Sequence, residues 1–249
     1  MDGVRIGTSG WSYAEWRGTF FPARLRRGDW FAHYAACFDT VELNSTFYGI
    51  AGEQTFRTWA SLAPAGFVYA VKAHQDITHQ TGKGDDAAET LDLLAARVCL
   101  LGEHLGPILY QFPPWLTRDL DYLRHFTGRL PEGFRHVVEF RNRSWYEEST
   151  ARLLTDAGVG FCIHDLEGSA SPEWVTGRVA YLRLHGPGPV KYKGRYGIAR
   201  LRETADLVRR LAGAAGEVYV YFNNTHTPDA DAAMDALELK QLLMASGGR

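Results

Sequence analysis

The feature that most restricts how this chain can fold is an alternation. Eight short β-rich runs recur along it: "VRIGTSG" from Val4, "TVELN" from Thr40, "FVYAVKAH" from Phe67, "GPILYQF" from Gly106, "HVVEFRN" from His136, "GVGFCIHD" from Gly158, "VAYLRLHG" from Val179 and "EVYVYFNN" from Glu217. Between most of them apolar residues return at three- and four-residue steps, the spacing of an amphipathic helix. Such patterns cover Asp29 to Phe38, Gln54 to Leu62, Asp86 to His104, Asp119 to Leu130, Ile198 to Ala212 and Asp229 to Ala245. Asp85 and Asp86 stand before the third pattern, Gly106 follows it, and Thr227-Pro228 opens the last, all residue types that mark helix ends. Strands that alternate with helices call for a parallel sheet, and eight such units in 249 residues predict an α/β fold, a (β/α)8 TIM-like barrel. "LEGSASPEWVTG" after the sixth strand is too short and too polar for a full helix, so the sixth helix unit is expected to be eroded. Neither a linker nor a low-complexity stretch interrupts the pattern, and residues 1–249 read as a single domain.

Composition narrows the function classes. No apolar run reaches the roughly 20 residues of a membrane span, and the first residues lack the basic-then-apolar layout of a signal peptide, so a cytoplasmic location and no membrane partner are expected. Cys37, Cys99 and Cys162 are scattered, which speaks against a disulfide framework and against a zinc ribbon. A formal net charge of −2 provides no global footprint for nucleic acid, so any anion binding must be local.

The polar residues of the strands have a pattern of their own. Glu42 and Asn44 end the second strand, Lys72 and His74 the third, Gln111 the fourth, Glu139 and Arg141 the fifth, His164 and Asp165 the sixth, Arg183 and His185 the seventh, Asn223 and Asn224 the eighth. Residues two apart share a strand face, while the intervening Leu43, Ala73, Phe140 and Leu184 are apolar and suit packing against helices. The polar face is therefore expected to point into the barrel at its C-terminal end, where barrel enzymes place their chemistry. In that reading Glu42 or Glu139 is the general base and His185 or His74 the acid, while Arg141 and Arg183 clamp an anionic group. The alternative is a plug in which the acids and bases merely neutralise one another.

Loop residues add to the picture. Trp11, Tyr13, Trp16, Phe47, Tyr48, Trp115, Trp145, Tyr146 and Trp174 follow strands and offer flat faces for a sugar ring or a base. After the seventh strand, "HGPGPVKYKGRYG" interleaves Lys191, Lys193 and Arg195 with Tyr192 and Tyr196, a composition that suits a phosphorylated ligand and a loop folding over the opening as a lid.

"GTSGWSYAEWRGTFFP", "FDTVELNSTFYG", "VKAH" with "ITH", "GPILYQFPP", "VVEFRNRSW", "YLRLHG" and "YVYFNNTH" together resemble the YecE-like family, domain of unknown function seventy-two. The resemblance runs from the first strand through the last helix and implies one barrel-like domain. It implies no reaction. The resemblance implies a histidine after "EFR" in many relatives, where this chain carries Asn142. Three readings compete: a hydrolase or lyase for a phosphorylated sugar or nucleotide-like anion, metal-independent or loosely metal-assisted and with no cofactor expected; a metal-dependent phosphoester hydrolase of endonuclease IV-like type, with Glu42, His74, Glu139, His164, Asp165 and His185 as candidate ligands; and a nucleic-acid-binding module.

Overall fold

The computed structural model describes residues 3–79, 84–166 and 170–245, and its frame is one sheet of eight parallel strands. These are β1 (Val4–Thr8), β2 (Thr40–Leu43), β3 (Val68–Lys72), β4 (Leu105–Phe112), β5 (His136–Phe140), β6 (Gly160–His164), β7 (Val179–Leu184) and β8 (Glu217–Phe222). Neighbours in sequence pair from β2 to β8, and β8 pairs with β1 in register Val4 to Val218 through Thr8 to Phe222. The remaining seam closes through a parallel bridge between Ser9 and Glu42, where the amide of Gly10 donates to the Glu42 carbonyl at 2.8 Å. The expected barrel is thus formed.

Parallel neighbours cannot be joined by tight hairpins, so helices run back along the outside. They are α1 (Trp30–Cys37), α2 (Glu53–Leu62), α3 (Gln75–His79), α4 (Gly84–Val98), α5 (Leu120–Gly128), α6 (Glu148–Asp156), α7 (Gly197–Ala214) and α8 (Asp231–Ala245). All six periodic patterns are helical; α3 and α6 were not among them, α3 being only Gln75–His79 and α6 carrying apolar side chains only at Ala151, Leu153 and Leu154. Between β6 and β7 the described residues include no helix, in line with the eroded unit. The capping expected of Asp85 and Asp86 lies outside the described side chains.

One cap is fully visible. Asp119 precedes α5, and its Oδ1 accepts from the amides of Asp121 at 3.0 Å and Tyr122 at 2.9 Å. Asp119→Ala leaves those amides to water and should lower unfolding free energy by about 1 kcal/mol in urea titration.

The strands are apolar on both faces, as strands of a closed parallel sheet must be. Their outer faces, with Val41, Leu43, Val71, Ala73, Phe140 and Leu184, join the large core under the helices. The lumen is filled separately by Val68, Ala70, Leu109, Val137, Cys162, Val179, Tyr181, Tyr219 and Tyr221. Two residues further along the same faces stand Lys72, Gln111, Glu139, His164, Arg183 and Asn223, so the period of two turns the lumen from apolar to polar at its C-terminal end.

Candidate functional site

The polar layer begins on Arg183, whose guanidinium is completely buried above the lumen tyrosines. Its Nη2 donates to Glu42 Oε1 at 2.9 Å and its Nε to Glu42 Oε2 at 3.1 Å, while Nη1 donates to Glu139 Oε2 at 2.6 Å. Ser9 Oγ and Tyr181 OH complete Glu42 at 2.7 and 2.6 Å. Glu42 therefore has a donor on every side and no face open to a substrate proton. Burial by itself would raise its pKa, but Arg183 and the two hydroxyls outweigh burial and hold it below the ordinary carboxylate range. The geometry assigns Glu42 a supporting part, not that of a general base: a fully hydrogen-bonded carboxylate with a lowered pKa is a weak proton acceptor.

Glu139 extends the network. Its Oε1 pairs with Arg141 Nε at 2.6 Å, and Arg141 Nη2 donates to His185 Nε2 at 2.9 Å. Burial is again outweighed, here by the Arg141 and Arg183 guanidiniums, so Glu139 stays ionised well below the usual range. Because His185 Nε2 accepts from a guanidinium, the ring is neutral with its proton on Nδ1, which faces Asp165 Oδ1 at 3.8 Å. Burial and then Arg141 push the His185 pKa down to about 3. Asp165 is fixed by the His185 amide at 2.8 Å and the Tyr196 hydroxyl at 2.5 Å. Two carboxylates, Glu42 and Glu139, thus offset two guanidiniums.

Lys72 stands outside that balance. Its side chain is 6% exposed, its Nζ lies 3.6 Å over the Phe47 ring, and no described residue forms a hydrogen bond with that amine. Burial first, then Arg183, push its pKa down to about 7, against the pull of Glu139 and Glu42. Lys72, Arg141 and Arg183 line an open cavity of about 320 Å³ together with Tyr13, Asn44, Ser45, Tyr48, Gln111, Tyr192, Asn223 and His226. A second cavity of similar size, lined by Trp11, Trp59, Leu43 and Gly10, adjoins it and shares Tyr13, Asn44 and Ser45. Asn44 Oδ1 is buried at that junction without a hydrogen-bond partner.

Of the residues singled out from the sequence, Asn44, Lys72, Gln111, Arg141, Arg183, Tyr192 and Asn223 meet at this cavity, with Glu42, Glu139 and His185 beneath or beside it. Others go elsewhere. His74 faces Asp76 at 3.5 Å and does not line the cavity, because it follows β3 where the chain already turns into α3. Trp145 is fully buried, stacked 4.5 Å on Phe140, with Nε1 donating to the Leu116 carbonyl, so it anchors a loop. Asn224 donates to the Gly194 carbonyl and to Asp235 Oδ2, both at 2.8 Å. Asn142 caps the turn at 143–145 through the Ser144 amide.

The loop after β7 departs from the expected basic lid. Lys191 and Lys193 are exposed and line neither of these two cavities, and Arg195 is taken by Asp235 at 2.6 Å and Glu238 at 2.9 Å. Acids of α8 thus draw the loop outward and strap it down. Gly186 makes the path possible: its φ is 111°, and a Cβ there would meet the Lys193 carbonyl at 2.5 Å. Only Tyr192 reaches the mouth, held at a φ of 67° between the rings of His185 and His226, each 5.8 Å away. A bulky residue in the left-handed region is strained and recurs at functional sites.

Sequence reasoning missed Ser9 and Tyr181. Tyr181 was within reach, since it lies two residues before Arg183 on the lumen face; Ser9 carries no periodic signal.

Glu139, His164 and His185 place one ligand-type atom each within 4.8 Å of the others. Most of their ligand atoms already face other groups, while His185 Nδ1, 3.8 Å from Asp165 Oδ1, has no hydrogen-bond partner among the described residues. Arg141 is against Glu139 Oε1 and His185 Nε2, and His164 Nε2 lies 3.0 Å from the Phe140 carbonyl while Nδ1 accepts from the Leu166 amide. A cation among them would also face two guanidiniums, so the arrangement does not fit a resident metal while Arg141 stays in place.

The family model described as "Protein of unknown function DUF72" matches residues 5–249. Over 272 residues the chain is 27% identical to the UPF0759 protein YunF of Bacillus subtilis, covering 95% of this chain and 94% of YunF. Over 169 residues it is 27% identical to the UPF0759 protein YecE of Escherichia coli, covering 65% of this chain and 59% of YecE. A crystal structure of a DUF72 family protein from Thermotoga maritima is similar with a TM-score of 0.86 at 29% identity, covering 97% of this chain and 99% of that one. A xylose isomerase-like TIM barrel/4-hydroxyphenylpyruvate dioxygenase fusion protein has a TM-score of 0.53 at 16% identity over 85% of this chain and 40% of its own, a likeness of fold alone. No helix among the described residues is long and apolar enough to cross a membrane.

Proposed function

This chain belongs to the DUF72 family, whose description names no reaction, and from the site itself we propose that it is an enzyme, a hydrolase or lyase, acting on a small phosphorylated sugar or nucleotide-like anion. One observation carries the reading: the side chains that line the cavity include Lys72, Arg141 and the fully buried Arg183, whereas Glu42 and Glu139, buried to the same degree, line none of it. What a ligand meets is therefore cationic, although the layer as a whole is nearly neutral. Lys72 sharpens this. An ammonium group that burial holds at about 7 gains a proton readily when an anion arrives and releases one readily when it leaves.

The adjoining Trp11 and Trp59 cavity supports a ligand with two parts, an anionic group over Lys72 and Arg141 and a ring against the indoles. Asn44 Oδ1, unpaired at the junction, suits a hydroxyl or amine donor on that ring.

Calorimetric titration with inorganic phosphate, ribose 5-phosphate and adenosine monophosphate, with ribose as the neutral control, tests the reading. The phosphorylated compounds should bind and ribose should not, and Lys72→Met and Arg141→Gln should each weaken binding by about tenfold or more, the size of one charged hydrogen bond. Equal binding of ribose and its phosphate, or affinities untouched in both variants, would leave the network as a structural plug.

A further inference from the structure

We propose that Lys72 is a catalytic nucleophile, forming an imine with the carbonyl carbon of a small anionic aldehyde or ketone bound in the cavity at the barrel mouth. The inference rests on the anion-binding reading above and deepens it, because it chooses lyase-type carbonyl chemistry over hydrolysis.

Placement is the first reason. Lys72 ends β3 on the lumen face, its backbone carbonyl accepts from Thr46 Oγ1 at 2.7 Å, and Phe47 covers the amine at 3.6 Å, so the side chain is held from both ends. It opens on the cavity that Arg141, Gln111, Asn44 and Asn223 also line. The second reason is what the amine lacks. A structural lysine buried to this degree normally finds a carboxylate, and two carboxylates lie in the same layer, yet both are spent on guanidiniums: Glu42 on Arg183, Glu139 on Arg183 and Arg141. Nothing described holds Nζ by a hydrogen bond, so its lone pair, once the proton is off, is free to attack. Desolvation beside other cations is how a lysine is made nucleophilic near neutral pH.

The step balances without a co-reactant. The Nζ lone pair bonds to the carbonyl carbon, the C=O π pair moves to oxygen, and a carbinolamine forms. Its C–O bond then breaks, both amine hydrogens leave with the oxygen as water, and a C=N bond remains. One proton from solvent makes it the cationic imine, an electron sink for breaking the neighbouring C–C or C–H bond. Arg141 holds the anionic end meanwhile, since its guanidinium lines the same wall.

Borohydride trapping tests this. Wild-type protein is incubated with glycolaldehyde phosphate or with pyruvate, reduced with sodium borohydride and mapped by peptide mass spectrometry, with phosphate binding measured on the same preparation. The adduct should sit on Lys72 and form about tenfold faster or more than on exposed Lys191 and Lys193, and inorganic phosphate should suppress it. In Lys72→Arg the fast adduct should vanish with no gain elsewhere. Labelling spread evenly over surface lysines, or no adduct at Lys72 with either probe, would overturn the proposal. If phosphate still binds in that case, the anion-binding reading survives; if phosphate does not bind either, both fall.

Discussion

Replacing Arg183 by methionine should cost about 3–5 kcal/mol of unfolding free energy, the loss seen when one partner of a buried ion pair is removed. Arg183 is the only group that touches both Glu42 and Glu139 through charged hydrogen bonds among the described residues, and both acids are fully buried. Without it Glu42 retains only the hydroxyls of Ser9 and Tyr181, and Glu139 only the guanidinium of Arg141 and the rings near it. Urea denaturation followed by tyrosine and tryptophan fluorescence reads the change. Should the single variant fail to accumulate, Arg183→Met combined with Glu42→Gln and Glu139→Gln provides the second arm, because neutral amides remove the stranded charges. The triple variant should recover part of the loss. A single variant within about 1 kcal/mol of wild type would mean that the network is not what holds this layer together.

Acidification should destabilise the protein before its carboxylates titrate. His185 has an ordinary pKa of 6.5 and sits at about 3 when folded, so between those values the unfolded chain binds a proton that the folded chain refuses. A group that binds more protons when unfolded makes stability fall as pH falls, and His185 alone should remove about 3 kcal/mol between about pH 7 and pH 4. Burial also lowers His164, His136 and His79, which act in the same direction. Glu42, Glu139 and Asp165 add their share only further down, since their folded pKa values lie below the ordinary ones. Urea midpoints measured across that range should drop steadily, and His185→Gln should flatten the slope by about one proton. A flat profile down to about pH 5 would contradict a neutral His185 held by Arg141.

The fold was legible because it rests on local periodicities. A strand needs β-formers in a run, a helix needs apolar residues at three- and four-residue steps, and eight repeats of that alternation leave few architectures open. The same arithmetic found the polar layer: a period of two places Glu42, Lys72, Gln111, Glu139, Arg183 and Asn223 on one side of their strands whatever the curvature of the sheet. It missed α6, where nine residues of helix carry too few apolar positions to register.

What the sequence determined, then, is which residues face the lumen and at which end. What it could not determine is who pairs with whom, because partners 44 or 141 positions apart in the chain meet only when the barrel closes. Closure gave Glu42 entirely to Arg183, Tyr181 and Ser9, where parity had allowed it to be a base. Closure also drew Arg195 to Asp235 and Glu238 on α8, away from the mouth that its composition suggested. Above all it left Lys72 without a carboxylate. Whether a buried charge is neutralised depends on distances of a few ångströms between strands, and Coulomb energies change severalfold over such distances at low dielectric, whereas a sequence fixes only the order and the face.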